Sequence, residues 1–223
     1  MPLRCVVPAL AAVVLLCAAP VAMAHPKEHH QGGAIVAPIE KIDGLTGPEV
    51  LARWFAQPYE NPAPEDYGCA PFLRGTVQLI APLEGGELSC TIPQGTDIAA
   101  FFGATCSSAE PPPFFGRTEE EQLACVREFL AGGPTVTLTV DDGDPITWTS
   151  DAYALETEQF AVDVIEGNEF EAQPGPATVV AGGWGLTVSL EPGRHALHFA
   201  AEGGEVAPPL TVTVDVVPCT KHH

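Results

Sequence analysis

In the last third of the chain apolar and polar residues alternate with period two: TVTLTVD at 135–141, WGLTVSL at 184–190, RHALHFA at 194–200 and LTVTVDVV at 210–217. A strand sends successive side chains to opposite faces, so this spacing places one face of each segment in a core and the other toward water. A helix cannot satisfy that pattern. The turn EPG separates the second run from the third, and DDGDP follows the first. Three alternating strands with short connections at the C-terminus predict an antiparallel sheet with one buried face. PITWTSD at 145–151 and FAVDVI at 160–165 read as further strands.

The first half carries shorter β-favouring runs, FLRGTVQLI, ELSCTI and TDIAAFF, divided by turn clusters such as EGGE and PQG. GATCSSAEPPPFFGR, residues 103–117, reads as a proline-rich loop. Two helices interrupt the strands. Thr46, Pro48 and Glu49 form a start signal, with a stripe of Val50, Leu51, Trp54 and Phe55, and the helix is expected to end by Pro58. Thr118 and Glu121 open a second helix, with Leu123, Val126 and Leu130 on one side and Gly132-Gly133-Pro134 ending it. Strands do not alternate with helices, which argues against a parallel α/β sheet. The expected fold is mainly β: an antiparallel β-sandwich, immunoglobulin-like or jelly-roll-like, with two short helices.

The N-terminus predicts export. Arg4 precedes the apolar run VVPALAAVVLLCAAPVA, and Ala22 and Ala24 mark a cleavage site after residue 24. Pro8 and Pro20 break that run, which argues against a permanent span. Cys17 as a lipidated residue is the alternative, though Leu16 precedes it where a small residue is wanted. The expected organisation is therefore a signal peptide over 1–24, a flexible His- and Gly-containing arm over 25–45, one β-rich domain over 46–218 and a tail over 219–223, secreted or periplasmic.

Export makes cystine the expected state of cysteine. Beyond the signal peptide lie Cys69, Cys90, Cys106, Cys125 and Cys219, with no C-x-x-C spacing. Pairing Cys69 with Cys90 and Cys106 with Cys125 would close two loops of about twenty residues, each worth roughly 3 kcal/mol. Other connectivities remain open from sequence. Cys219 is left over, and an intermolecular contact is one use for it.

Charge narrows the partners. Twenty-nine acidic residues face nine basic ones, a net charge of −20. So few cations cannot build a nucleic-acid or anionic-membrane surface. The acids are scattered rather than clustered, which fits solubility outside the cell.

Several of these segments together carry a resemblance. Cys90-Thr91-Ile92-Pro93-Gln94-Gly95 with Phe101-Phe102, the helix EEEQLACVREFLAG, TVDDGDPI, and Pro192-Gly193-Arg194-His195-Ala196-Leu197-His198-Phe199 occur in this order. They resemble a family of uncharacterised exported bacterial proteins with a Cys-Thr-Val-Pro-x-Gly segment, a Phe pair and a Pro-Gly-x-His-x-Ile-x-Phe hairpin. The likeness covers roughly 50–217 and implies no activity. Gly103 stands where that pattern has Pro, and the Asn expected soon afterwards is missing.

Candidate chemistry is sparse. After cleavage His25 would offer an α-amine and an imidazole to copper or zinc, with His29 or His30 as further ligands; His195 or His198 are the alternatives. A polar tail explains the same residues, and low-complexity histidine is a weak signal. His195 and His198 lie three apart on a strand, so they point to opposite faces and cannot share an ion. Asp141, Asp142 and Asp144 around Gly143 read as a hairpin turn rather than a calcium loop, because no further ligands follow at the required spacing. Five serines are present, none in a G-x-S-x-G elbow, and H-E-x-x-H is absent. Trp54, Trp148 and Trp184 are candidate ligand-facing aromatics, with core packing the competing role. The function expected from sequence is a non-catalytic binding or structural module. A copper- or zinc-binding protein using His25 is the alternative, and an unrecognised hydrolase the second. No resident cofactor is expected.

Overall fold

The computed structural model describes residues 29–31, 33–62, 67–80, 85–203 and 209–218. In chain order these form β1 (His29–Gln31), β2 (Ala34–Pro38), β3 (Lys41–Ile42), β4 (Leu45–Thr46) and α1 (Gly47–Glu60). Next come β5 (Gly68–Pro71), β6 (Thr76–Ile80), β7 (Gly86–Pro93), β8 (Asp97–Ser107) and α2 (Glu119–Ala131). The C-terminal half adds β9 (Thr135–Val140), β10 (Ile146–Thr147), β11 (Ala154–Glu156), β12 (Phe160–Val164), β13 (Gly175–Leu190), β14 (Gly193–Glu202) and β15 (Leu210–Val217).

Two sheets form the expected sandwich. The first runs β1-β2-β13-β8-β6-β5, with β11 and β12 also paired to β13. The second runs β10-β9-β14-β15-β7. Ile98, Leu186 and Val188 from the first sheet pack against Leu138, Leu197, Val212 and Val214 from the second, all fully buried. α1 covers the opposite face of the first sheet through Val50, Leu51 and Phe55, which meet Ala99, Phe101 and Ala181. α2 packs Val126 against Cys106 and Val180, on the even-numbered side of β8 and β13, beyond the reach of the second sheet.

Both sheets are mixed rather than purely antiparallel, because β6 runs parallel to β8 and β7 parallel to β15. The C-terminal trio also differs from expectation. β14 and β15 pair antiparallel, but β13 belongs to the other sheet, so the EPG turn crosses between layers. Alternation shows that a strand has a buried face; it does not name the neighbour.

Three boundaries shift for local reasons. Residues 34–46 are not an arm: Ala34 and Val36 are core residues of β2, laddered to β13, and 41–46 form a small hairpin. AIVAP is too short for its alternation to stand out from its polar flanks. The segment read as a loop from 103 continues β8 to Ser107, paired with β13 throughout. α1 runs through Pro58 to Glu60. A proline in the last turn removes one helical N–H but leaves the preceding turns intact.

The helix starts match their signals. The Thr46 backbone N–H donates to the Glu49 carboxylate at 2.7 Å, which holds that exposed carboxyl below its usual range. The Glu121 N–H donates to the Thr118 hydroxyl at 3.2 Å. The disulfides are Cys69–Cys90 and Cys106–Cys125. The first joins β5 to β7, the terminal strands of the two sheets, and so closes one side of the sandwich. The second ties α2 to β8. Both pairings fit an oxidising compartment. Among the described residues no helix is long and apolar enough to cross a membrane.

Candidate functional site

β6 follows β8 only from Thr76 to Gln78, opposite Asp97 to Ala99. Beyond that point the edge of β8 opens into a cleft of about 620 Å³. α1 forms one wall with Trp54 and Phe55, joined by Phe170. The second sheet forms the other with Phe199 and Leu210, beside Trp148. Ala100 to Gly103 of β8 lie between them.

Aromatic contacts stiffen both walls. Trp54 stacks on Phe101 with ring centroids 5.0 Å apart, and Trp148 lies 5.4 Å from Phe199. Phe102 stands 6.2 Å from Trp148 and stacks on Trp184 at 5.9 Å. Trp148 is buried, and its Nε1 has no hydrogen-bond partner. Thus Trp54 and Trp148 line the cleft, while half-buried Trp184 supports Phe102 from within the sandwich.

Polar groups are few. The Gln57 and Gln78 side-chain amides bond reciprocally at 2.9 and 2.8 Å and join α1 to β6. Asn61 is on the rim. Glu169 is the ionisable residue among the described lining, and burial raises its carboxyl above the usual range. This arrangement removes apolar surface from water and orients it with neutral amides.

A second polar cluster lies where α1 meets the far half of β8. The Tyr59 hydroxyl is 2.6 Å from a Glu110 oxygen and 3.0 Å from Thr105 Oγ1. Burial pushes the Glu110 carboxyl up to about 7, despite the opposing hydrogen bond from Tyr59. Burial and the neighbouring Glu110 charge together push the Tyr59 hydroxyl well above its ordinary value.

His195 has a structural setting. Nδ1 lies 2.8 Å from Asp141 Oδ2, and Nε2 lies 2.9 Å from the Glu191 carbonyl. Burial alone would lower its pKa, but the bonds to Asp141 and to the Glu191 carbonyl prevail and raise it. With an oxygen close to each nitrogen, the ring ties the turn after β9 to the turn before β14. Asp141 also accepts from the Ala196 N–H at 2.8 Å, and its φ of 50° is the left-handed turn conformation. His198 is on the exposed face, 3.1 Å from Thr211 Oγ1.

Of the candidate metal ligands, His25 lies outside the described residues, as do Cys219, His222 and His223. The backbones of His29 and His30 pair with β2 opposite Val36 and Ile35. Among the described residues no three His, Cys, Asp or Glu are grouped to hold a metal ion. Sequence reasoning passed over Gln57, Gln78, Glu110 and Glu169, which follow no motif.

No protein-family model and no curated protein matches the chain. Among solved structures, the solution structure of amebosin is similar at 8% identity, over 58% of this chain and 88% of that chain, with a TM-score of 0.22. A likeness so low carries no argument.

Proposed function

We propose that this protein is an exported, non-catalytic binding module and that the cleft between α1 and the second sheet is its binding surface. The observation that carries this reading is the cleft itself. About 620 Å³ of aromatic-walled space opens beside the edge of β8, between α1 and the second sheet, with a single ionisable residue among its described lining. Apolar enclosure with a few oriented polar groups is the usual character of a binding site. The signal-like N-terminus and the two disulfides support a place outside the cytoplasm.

The test is titration with N-phenyl-naphthylamine, a neutral apolar fluorophore. Saturable one-to-one enhancement is expected, with energy transfer from Trp54 and Trp148. Ala201→Trp, at a half-buried position in the lining, should fill the space and weaken the dye at least about tenfold, which corresponds to about 1.4 kcal/mol. Enhancement that does not saturate, or that the substitution leaves unchanged, would remove the cleft as a binding surface.

A further inference from the structure

The cleft contains an open strand edge. β8 ladders to β13 along one side from Ile98 to Ser107. On its other side β6 pairs only 97–99, and Ser107 forms a bridge with Phe115. From 100 to 106 that edge has no strand neighbour among the described residues.

Strand parity identifies the groups left facing the cleft. The Asp97 N–H donates to the Gly75 carbonyl, away from β13. At the far end the Ser107 N–H donates to Phe114, and the Ser107 carbonyl accepts from Gly116, again away from β13. Odd-numbered residues of β8 therefore direct their backbone groups outward. Phe101 and Gly103, between these fixed points, present N–H and C=O toward the cleft. Gly103 is exposed although it sits in the middle of a core strand.

A compact apolar ligand would cover those backbone groups without pairing them, and a covered amide without a partner opposes binding. A peptide main chain supplies donors and acceptors at the strand repeat. From Ala99 to Ser107 the gap spans roughly 26 Å of strand, room for a segment of about seven residues. The aromatic walls suit apolar side chains. Glu169 and the chain's net charge of −20 favour a cationic residue over an acidic one.

We propose that the cleft binds an extended peptide that adds a strand to the open edge of β8, with apolar side chains between the aromatic walls and a Lys or Arg at Glu169. This rests on the cleft being the binding surface, so the experiment separates the two. The probe is an acetylated, amidated hexapeptide of valine and threonine with one central lysine, beside its fully N-methylated counterpart, which has no N–H to donate to a strand ladder. Both compete against N-phenyl-naphthylamine on the intact protein while amide hydrogen exchange is followed.

The expected result is displacement of the dye by the hexapeptide and at least tenfold slower exchange at Phe101 and Gly103. The N-methylated peptide should produce neither, and Glu169→Gln should weaken the hexapeptide about fivefold. Dye binding that the hexapeptide leaves untouched, or that the N-methylated peptide displaces equally well, overturns strand addition and leaves an apolar small-molecule site. Protection at another sheet edge overturns the assignment to β8. Failure of dye and peptide alike removes both readings.

Discussion

Along β13 the even-numbered side chains meet two different partners. Leu186 and Val188 enter the sandwich against Leu197 and Val212, whereas Val180 and Gly182 face α2. The sheet-facing half carries large aliphatics because two sheets pack about 10 Å apart and both must fill that space. The helix-facing half is small because α2 brings its own side chains close. A Cβ on Gly182 would stand 2.6 Å from Val126 Cγ1 and 3.1 Å from Leu130 Cδ1. One strand with one parity thus serves two packing geometries, and residue size marks where one gives way to the other.

The changeover point should be the most sensitive. At Gly103 a Cβ would run into the Gly182 carbonyl oxygen and lie 2.8 Å from Gly183 Cα, so a side chain must push backbone apart. Gly103→Val is expected to cost about 4 kcal/mol or more and to abolish cooperative unfolding, read by near-UV circular dichroism and thermal melting. A variant that melts like the parent would show that the close approach is not required.

Truncation in each half sharpens the contrast. Leu186→Ala empties a fully buried site between the sheets and should cost about 2–5 kcal/mol in urea unfolding. Val180→Ala, under α2, removes two methyl groups and should cost about 2 kcal/mol. Equal losses would mean that α2 packs as tightly as the second sheet.

The smallest effect concerns pH on the α1 side of the far half. The Glu110 carboxyl, raised to about 7, favours its neutral form in the fold, against an ordinary value of 4.5. Its contribution is fully present below 4.5 and is lost as pH rises through about 7. Glu110→Gln keeps an acceptor for the Tyr59 hydroxyl and removes the titration. Between about pH 4 and about pH 8 the melting temperature of the parent should fall relative to the variant. Parallel curves would refute the assignment. His195 acts in the same direction over a higher window. Its raised pKa contributes stability fully below 6.5, lost as pH climbs through the folded value.

Features with a local cause were legible in the chain. Thr46 with Glu49, and Thr118 with Glu121, announce helices because an N-terminal turn needs acceptors within three residues. The spacing of the four paired cysteines allowed the observed bridges. The parity of 194–200 put His195 and His198 on opposite faces, and the structure has His195 buried with Leu197 and Phe199 and His198 exposed. The cleft was not legible. Gln57 and Gln78 meet across 21 residues, and Tyr59 reaches Glu110 across 51, with no pattern linking either pair.

By itself the sequence determined the class of this protein: alternating strands, two capped helices, cysteines suited to oxidation, and a net charge of −20. These follow from short-range stereochemistry and composition, which act wherever the segment ends up. Only the tertiary structure decided that β13 leaves β14 for the other sheet, that β8 continues through Gly103, and that β6 ladders to β8 over 97–99 alone, which leaves 100–106 without a strand neighbour on that side among the described residues. Strand partners are chosen by the total burial of distant segments, and two-residue periodicity is the same whichever neighbour a strand takes.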